Sequence, residues 1–459
     1  MILEGMASDR QNMFWAIAHI GLGVICTLTP FALIVWFYFI LATNFFKSNS
    51  LLKKKKPAFF LMFFSYLISF EVLDRMAKTS PFIPYELGKY FLVLMGIFGI
   101  VNLGIRSQKG LLMVLLMTPA LLYDFSGQRT FFDIINNYLA PLAVGLGIAF
   151  ADRLTITKVQ LNQILKFIWL GCLASLVFTY IRTPDFEEIN FSLKAQFETT
   201  GGHSSNQVSS ILGLGMFLSF YSLFKRLNYS GNRLFDLIIL VGFAFQGLLS
   251  FSRGGMMVGA IGILIILFLP EKSQNGIAVV RGNKSILIGI IVICALYAVF
   301  EVANTVTSGN LLLRYQGETQ GTLLGTKEVT ANQLVSGRVD IVEKDVDLWL
   351  KHIFTGVGCG ASRYLRDLDK IGIAPHVELS RLMAEHGLLG IIFAIIIFFQ
   401  VPLKSWQVNE GSSSKIILIT LMTIAILTTF HAAMRTFLTP LLMILGSLKI
   451  TESRINPKS

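Results

Sequence analysis

The chain has 459 residues, of which 54% are apolar, 12% aromatic and only 14% charged, and its mean hydropathy is +0.66. A soluble chain of that length would carry about a quarter charged residues, so these figures exclude an ordinary cytosolic enzyme, a disordered protein and a disulfide-rich secreted module, and describe a polytopic membrane protein. The formal charge of +12 (39 basic residues against 27 acidic) invites a nucleic-acid reading, which the placement of the charges removes below.

A membrane-crossing helix needs roughly 20 apolar residues. The first apolar stretch, Met13 to Phe46, is too long for a cleavable signal core and long enough for two spans, with Thr27-Leu28-Thr29-Pro30 as the break. Further spans are expected at about 58–74, 88–105, 110–124, 133–151, 160–182, 206–224, 234–251, 254–270, 285–303, 379–403, 416–431 and 435–449. The fold class is therefore all-α and polytopic, with about 12–14 transmembrane helices.

Lys and Arg in short loops set the orientation. Lys47, Lys53 to Lys56, Arg106, Lys109, Arg153, Lys158, Lys225, Arg226, Arg233, Lys272, Arg281, Lys284, Lys404 and Lys415 fall in one alternating set of loops. The other set holds scattered charges such as Arg75, Lys78, Lys89, Arg129 and Lys194. The basic set is read as cytoplasmic, with both termini inside, so much of the positive charge is topological.

One external loop, about 303–378, is far longer than the rest, and loops of that length are usually functional. Within it Val339, Val342, Val346, Trp349 and Ile353 recur at helical spacing between Ser336-Gly337 and Gly356. That spacing predicts an amphipathic helix over about 338–354, lying on the membrane or capping a cavity.

Four polar clusters fall on the external side of this topology. His203-Ser204-Ser205-Asn206-Gln207 opens one span, where Ser and Asn also serve simply as helix caps. Ser252-Arg253-Gly254-Gly255 is a tight turn, whose arginine has snorkelling as its plain alternative. Gly337-Arg338 starts the loop helix, a place suited to phosphate. Pro375-His376-Val377-Glu378 precedes a helix containing Glu385-His386-Gly387. Two arginines and a histidine on one face point to an anionic substrate and a proton acceptor.

Other signals carry less. Gly356-Val357-Gly358-Cys359-Gly360 follows no expected strand and reads as a turn ending the loop helix rather than a phosphate loop. His376 and Glu378 lack the spacing of a zinc site, and Cys26, Cys172, Cys294 and Cys359 form no metal or redox pattern. Glu71, Asp133, Lys166 and Glu301 are costly in lipid, but each lies near a span end, where snorkelling accounts for it.

The order of these motifs resembles the bacterial O-antigen ligases and the related O-antigen and exopolysaccharide polymerases. An Asn-bearing helix start (His203 to Gln207) is followed by a Ser-Arg-Gly turn (Ser252 to Gly255), then by a large loop opening with Gly337-Arg338 and carrying Trp349. Gly356 and Gly358 come next, then His376 before a helix with Glu385 and Gly387 to Gly390. The likeness covers about 200–400; Val377 departs from it, since family members often have Asn after the histidine.

The resemblance implies a metal-independent, cofactor-free inverting glycosyltransferase in the bacterial inner membrane, acting at the periplasmic face. Its donor would be a glycan on undecaprenyl pyrophosphate. The first reading is an O-antigen ligase with lipid A-core as acceptor, the alternative a polymerase with a second lipid-linked unit, and the more distant one a flippase for the same lipid-linked sugar. A flippase should carry charges along a path through the membrane; these cluster on one face. Arg253 and Arg338 would stabilise the leaving pyrophosphate and His376 would act as general base. Asn206, Ser252, Arg314 and Glu378 would bind substrate, with Glu378 as the rival base. The chain then divides into N-terminal helices (1–200), a catalytic region (201–403) that includes the loop 303–378, and a C-terminal hairpin and tail (404–459).

Overall fold

The computed structural model describes residues 8–269, 283–326, 330–334, 337–366 and 377–451. His376, Ser336 and Pro375 lie outside the described residues. The protein is almost entirely helical. In chain order the helices are α1 (Asp9–Leu28), α2 (Phe31–Lys53), α3 (Pro57–Ile68), α4 (Glu71–Ala77), α5 (Leu87–Leu103), α6 (Gln108–Met117) and α7 (Phe131–Ala151). They continue with α8 (Lys158–Arg182), α9 (Ser205–Lys225), α10 (Arg233–Leu249), α11 (Arg253–Phe268) and α12 (Asn283–Val306). The loop region contributes α13 (Asn310–Tyr315), α14 (Gln320–Leu323), α15 (Ala331–Leu334), α16 (Arg338–Lys351) and α17 (Ser362–Leu365). The last four are α18 (Glu378–Ile395), α19 (Val401–Val408), α20 (Ser412–Thr428) and α21 (Leu438–Gly446).

Every expected span coincides with a helix, and among the described residues eight helical stretches are long and apolar enough to cross a membrane. The chain is an all-α polytopic membrane protein. The break expected at Thr27 to Pro30 is where α1 gives way to α2. The segment expected at 435–449 departs most: α21 has nine residues, all buried, and is followed by a short strand. Such a half-helix is tolerated because protein, not lipid, surrounds it.

Large apolar side chains such as Phe14, Val35, Leu287 and Ile291 are exposed on α1, α2 and α12, a surface suited to lipid. The interior is organised around α9, which packs against α8, α10 and α11. Gly213, Gly255 and Gly259 bring α9 and α11 into backbone contact: a Cβ on Gly255 would lie 2.3 Å from the Ser209 carbonyl carbon. Close approach through small residues is a common way for membrane helices to pack, and here it sets the N-terminus of α11 beside that of α9.

The turns between the membrane-crossing stretches gather at two ends. One end holds Lys53, Arg106, Arg153, Lys158, Lys404 and Lys449, fastened by a parallel pairing of Thr155–Thr157 (β1) with Lys449–Thr451 (β2). The other end holds the starts of α9, α11, α16 and α18, and with them the polar clusters singled out in the sequence.

Candidate functional site

Tertiary contacts bring the two polar turns of the middle region together. Ser252, just before α11, donates to Asn206 Oδ1 at 2.9 Å, and Ser209 donates to Ser252 Oγ at 2.8 Å. Asn206 and Ser252 therefore clasp two helix starts, which leaves the next residue, Arg253, directed toward the loop. Its Nη1 donates to the Arg314 carbonyl at 2.8 Å and its Nη2 to the Gln333 carbonyl at 3.2 Å.

Arg338 begins α16, after Gly337 in the left-handed region (φ 74°), and its Nη2 donates to the His431 carbonyl at 3.4 Å. Arg253, Arg314 and Arg338 are half-buried neighbours. Burial, with the charges of Arg253 and Arg338 added, brings the Arg314 guanidinium down to about 10; burial and Arg253 do the same to Arg338. All three remain protonated at neutral pH. Like charges converging in this way make a strong local site for an anion.

From Arg338 an apolar groove of about 500 Å³ runs between α11, α16, α18 and α20. Val339, Val342 and Val346 of α16 form one wall, facing Met257 and Ile261 of α11, while Met383 and Phe430 complete it. The expected amphipathic helix is thus present, ends at Lys351, and roofs a cavity with its valine stripe. The adjoining buried face of α16, turned toward α18, is pinned by charge: Asp345 pairs with Arg366 at 2.7 Å and accepts from Ser380 at 2.7 Å.

α18 is broken at Gly387 (φ 59°, ψ −137°). The break exposes the carbonyls of Ala384 and Glu385, which accept from Val357 N at 2.8 Å and Gly358 N at 3.1 Å. Gly356, Gly358 and Gly360 all have positive φ (69°, 103° and 81°), so the glycine run forms the turn after α16 and also caps this broken helix. Just above the break, Arg381 is paired with Glu378 and, at 3.0 Å, with Glu385.

Glu378 is 1% exposed and also accepts from Met434 N at 3.1 Å, so its oxygens are engaged in the interior. Val377, the residue after His376, lines the groove. Asn206, Ser252, Arg253, Arg314 and Arg338 thus meet at one end of the bundle, while Glu378 belongs to the adjoining ion-pair network.

Residues unforeseen in the sequence complete the site. His431 lines the groove, and its ring nitrogen Nε2 lies 2.9 Å from Ser210 Oγ. The ring packs on Gly254, where a Cβ would come within 2.4 Å of it. Nothing local marks this histidine, but the Glu378-Arg381-Glu385 spacing, one helical turn apart on each side, could have announced the ion-pair triad.

Among the described residues one group has metal-ligand types close together: Cys359, Glu385 and His386 place ligand atoms within 4.8 Å of one another. Glu385 is already committed to Arg381 and to Ser362 at 2.8 Å, and burial pushes the Cys359 thiol up, away from the thiolate. The group reads as packing around the helix break.

No curated protein and no solved structure matches the chain. Residues 237–395, which run from α10 through the arginine cluster and groove to the end of α18, match the family model described as O-antigen ligase, and this match supports the O-antigen ligase superfamily and glycosyl transfer of the ligase and polymerase kind.

Proposed function

We propose that the protein is an inverting glycosyltransferase that moves a glycan from undecaprenyl pyrophosphate to an acceptor at the periplasmic face of the bacterial inner membrane, with lipid A-core as the first acceptor class. The observation that carries this reading is the convergence of Arg253, Arg314 and Arg338 at the head of an apolar groove. A polyprenyl pyrophosphate has that same division into dianionic head and hydrocarbon tail.

As the bond from the sugar C1 to the phosphate oxygen breaks, negative charge grows on the pyrophosphate. The guanidiniums of Arg253 and Arg338, already held by main-chain carbonyls, stabilise that charge without reorganising. The reading is metal-independent because three cations supply the countercharge. The acceptor hydroxyl attacks C1 from the face opposite the leaving group, which inverts the configuration. Its proton passes to His376, whose residue type titrates near neutral pH. Asn206 and Ser252 hold Arg253 in place. The periplasmic placement is supported by the basic residues gathered at the opposite end.

A polymerase using a second lipid-linked unit as acceptor shares this chemistry. Expression in strains lacking either a ligase or a polymerase, read by the lipopolysaccharide ladder, separates the two. Restoration of capped core supports the ligase, and restoration of chain length supports the polymerase. Restoration of neither, with lipid-linked donor supplied, removes the transferase reading.

A further inference from the structure

The end of the bundle opposite the arginine cluster contains a second, polar cavity of about 540 Å³, lined by Arg106, Asp152, Arg153, Val408 and Lys449. Its three cations come from separate turns and are drawn together by the main chain. Arg106 N donates to the Ala149 carbonyl at 2.8 Å, and Arg106 Nη2 to the Arg153 carbonyl at 3.3 Å. Arg153 N donates to Ser447 at 2.9 Å, and Lys449 N to Leu154 at 3.0 Å. Arg153 also takes the left-handed conformation (φ 59°), uncommon for a residue with a side chain. The lone carboxylate of the cavity, Asp152, is paired with Lys404 and stands 3.9 Å from Arg153 Nε. The fold therefore concentrates positive charge at this point, and a bound anion would relieve it.

The surroundings indicate what carries the anion. At the depth of the cavity, on the other face of the helix from Val408, Trp406 is 43% exposed and has the Lys415 ammonium 5.3 Å from its ring. An exposed tryptophan beside a lysine at a helix end marks the headgroup level of a bilayer. Leu403 and Phe399, exposed at 61% and 63%, continue from there along the same helix toward the hydrocarbon. We propose that this cavity binds the phosphate of an anionic phospholipid, with the two guanidiniums and the lysine on the phosphate oxygens and the acyl chains in the adjoining bilayer. Planar guanidinium forks match phosphate oxygens, and basic pockets between membrane helices are known to hold such headgroups.

The test uses the purified full chain in neutral detergent, titrated with dioleoylphosphatidylglycerol, dioleoylphosphatidylcholine or glycerol 3-phosphate while the thermal unfolding midpoint is followed. Phosphatidylglycerol should raise the midpoint saturably, and phosphatidylcholine, with the same chains, should not. Arg106→Gln and Lys449→Gln should each weaken the apparent affinity by about fivefold, the contribution of one basic residue near a membrane surface. Lys449 ties the strand pair through its main chain, so its variant remains informative if Arg106→Gln accumulates poorly. Lys54→Gln, at the same end but outside the cavity, should leave the affinity unchanged. An equal loss in Lys54→Gln would reduce the effect to diffuse surface charge and overturn the site. Saturation by glycerol 3-phosphate as tight as by phosphatidylglycerol would overturn the lipid as its source.

Discussion

Arg253 donates through Nη1 to the main-chain carbonyl of Arg314 at 2.8 Å, so one guanidinium of the cluster sets the position of the residue that carries another. The second bond, from Nη2 to the Gln333 carbonyl, ties a further loop segment to the start of α11. The arginine cluster is thus assembled from the membrane helix outward, and its members should fail in different ways. Arg253→Lys retains the charge but lacks the planar fork whose two separate nitrogens reach the two carbonyls. It should lower transfer by about 10²–10³-fold, the cost of removing one preorganised donor to a developing anion, and should speed amide exchange over 310–334. Arg314→Gln leaves its carbonyl in place and should lose activity without that loosening. Unchanged exchange in Arg253→Lys would show that the loop is held by other contacts.

The groove requires α9 and α11 to touch. Gly255→Ala would place a methyl 2.3 Å from the Ser209 carbonyl carbon, in backbone that cannot yield as a side chain can. Overpacking of this kind costs about 1–3 kcal/mol, and moving α11 outward also parts Ser252 from Asn206. The expected result is a lower unfolding midpoint together with reduced activity. Gly21→Ala, inside α1 at a site with no neighbour within 4 Å, is the matched control and should lower neither.

Much of this fold could be read from apolar run lengths and basic loops, because both report on the membrane directly. The α16 helix was legible for a related reason: Val339, Val342 and Val346 repeat at the spacing of one helical face, and that face covers the groove. Arg253 and Arg338 stood out as cations in glycine turns on a face where few are expected. The remainder is encoded in contacts between distant positions. Arg75 donates to Gln207 at 2.7 Å and to the Arg435 carbonyl at 3.1 Å, pairings across more than 100 residues that leave no local periodicity. The glycine run after α16 read as a turn, which it is; its role in capping the break at Gly387 depends on which helix packs against it.

The ion-pair triad in α18 gives a sharp stability prediction. Arg381 is buried between Glu378 and Glu385, and removing it strands two carboxylates in the interior. Breaking a buried pair from one side costs about 3–5 kcal/mol, so Arg381→Met should fail to accumulate in the membrane. The triple replacement Glu378→Gln, Arg381→Met, Glu385→Gln removes the stranded charges and should recover a good part of the lost protein. Accumulation of the single variant at wild-type level, measured by immunoblot of membranes, would mean that water reaches the triad.

Sidedness follows from the two ends of the bundle. Gln316 and Glu410 are both exposed, the first beside the arginine cluster and the second in the turn between α19 and α20. In a background without the native cysteines, Gln316→Cys should react with a membrane-impermeant maleimide in intact spheroplasts, and Glu410→Cys only after permeabilisation. The reverse pattern would place the arginine cluster in the cytoplasm and with it exclude a periplasmic acceptor.

The assignment of the proton acceptor can be decided among three side chains. His376 directly precedes Val377, whose side chain lines the groove, so a base at this position would be next in the chain to the apolar wall. Loss of a general base typically costs about 10²–10⁴-fold, and His376→Ala should fall in that range while retaining donor binding. His431 also lines the groove, but its Nε2 is engaged with Ser210 and its ring is 3% exposed. His431→Asn should therefore weaken donor binding through the α11 start while leaving the pH profile of turnover unshifted. Glu378 is held by Arg381 and by Met434 N, and Glu378→Gln should lower the amount of folded protein rather than the turnover of what remains. Turnover per folded molecule, measured across pH for the three variants, distinguishes them. A normal rate in His376→Ala with a displaced pH profile in His431→Asn would transfer the base to His431, and a specific loss of turnover in Glu378→Gln would transfer it to the carboxylate.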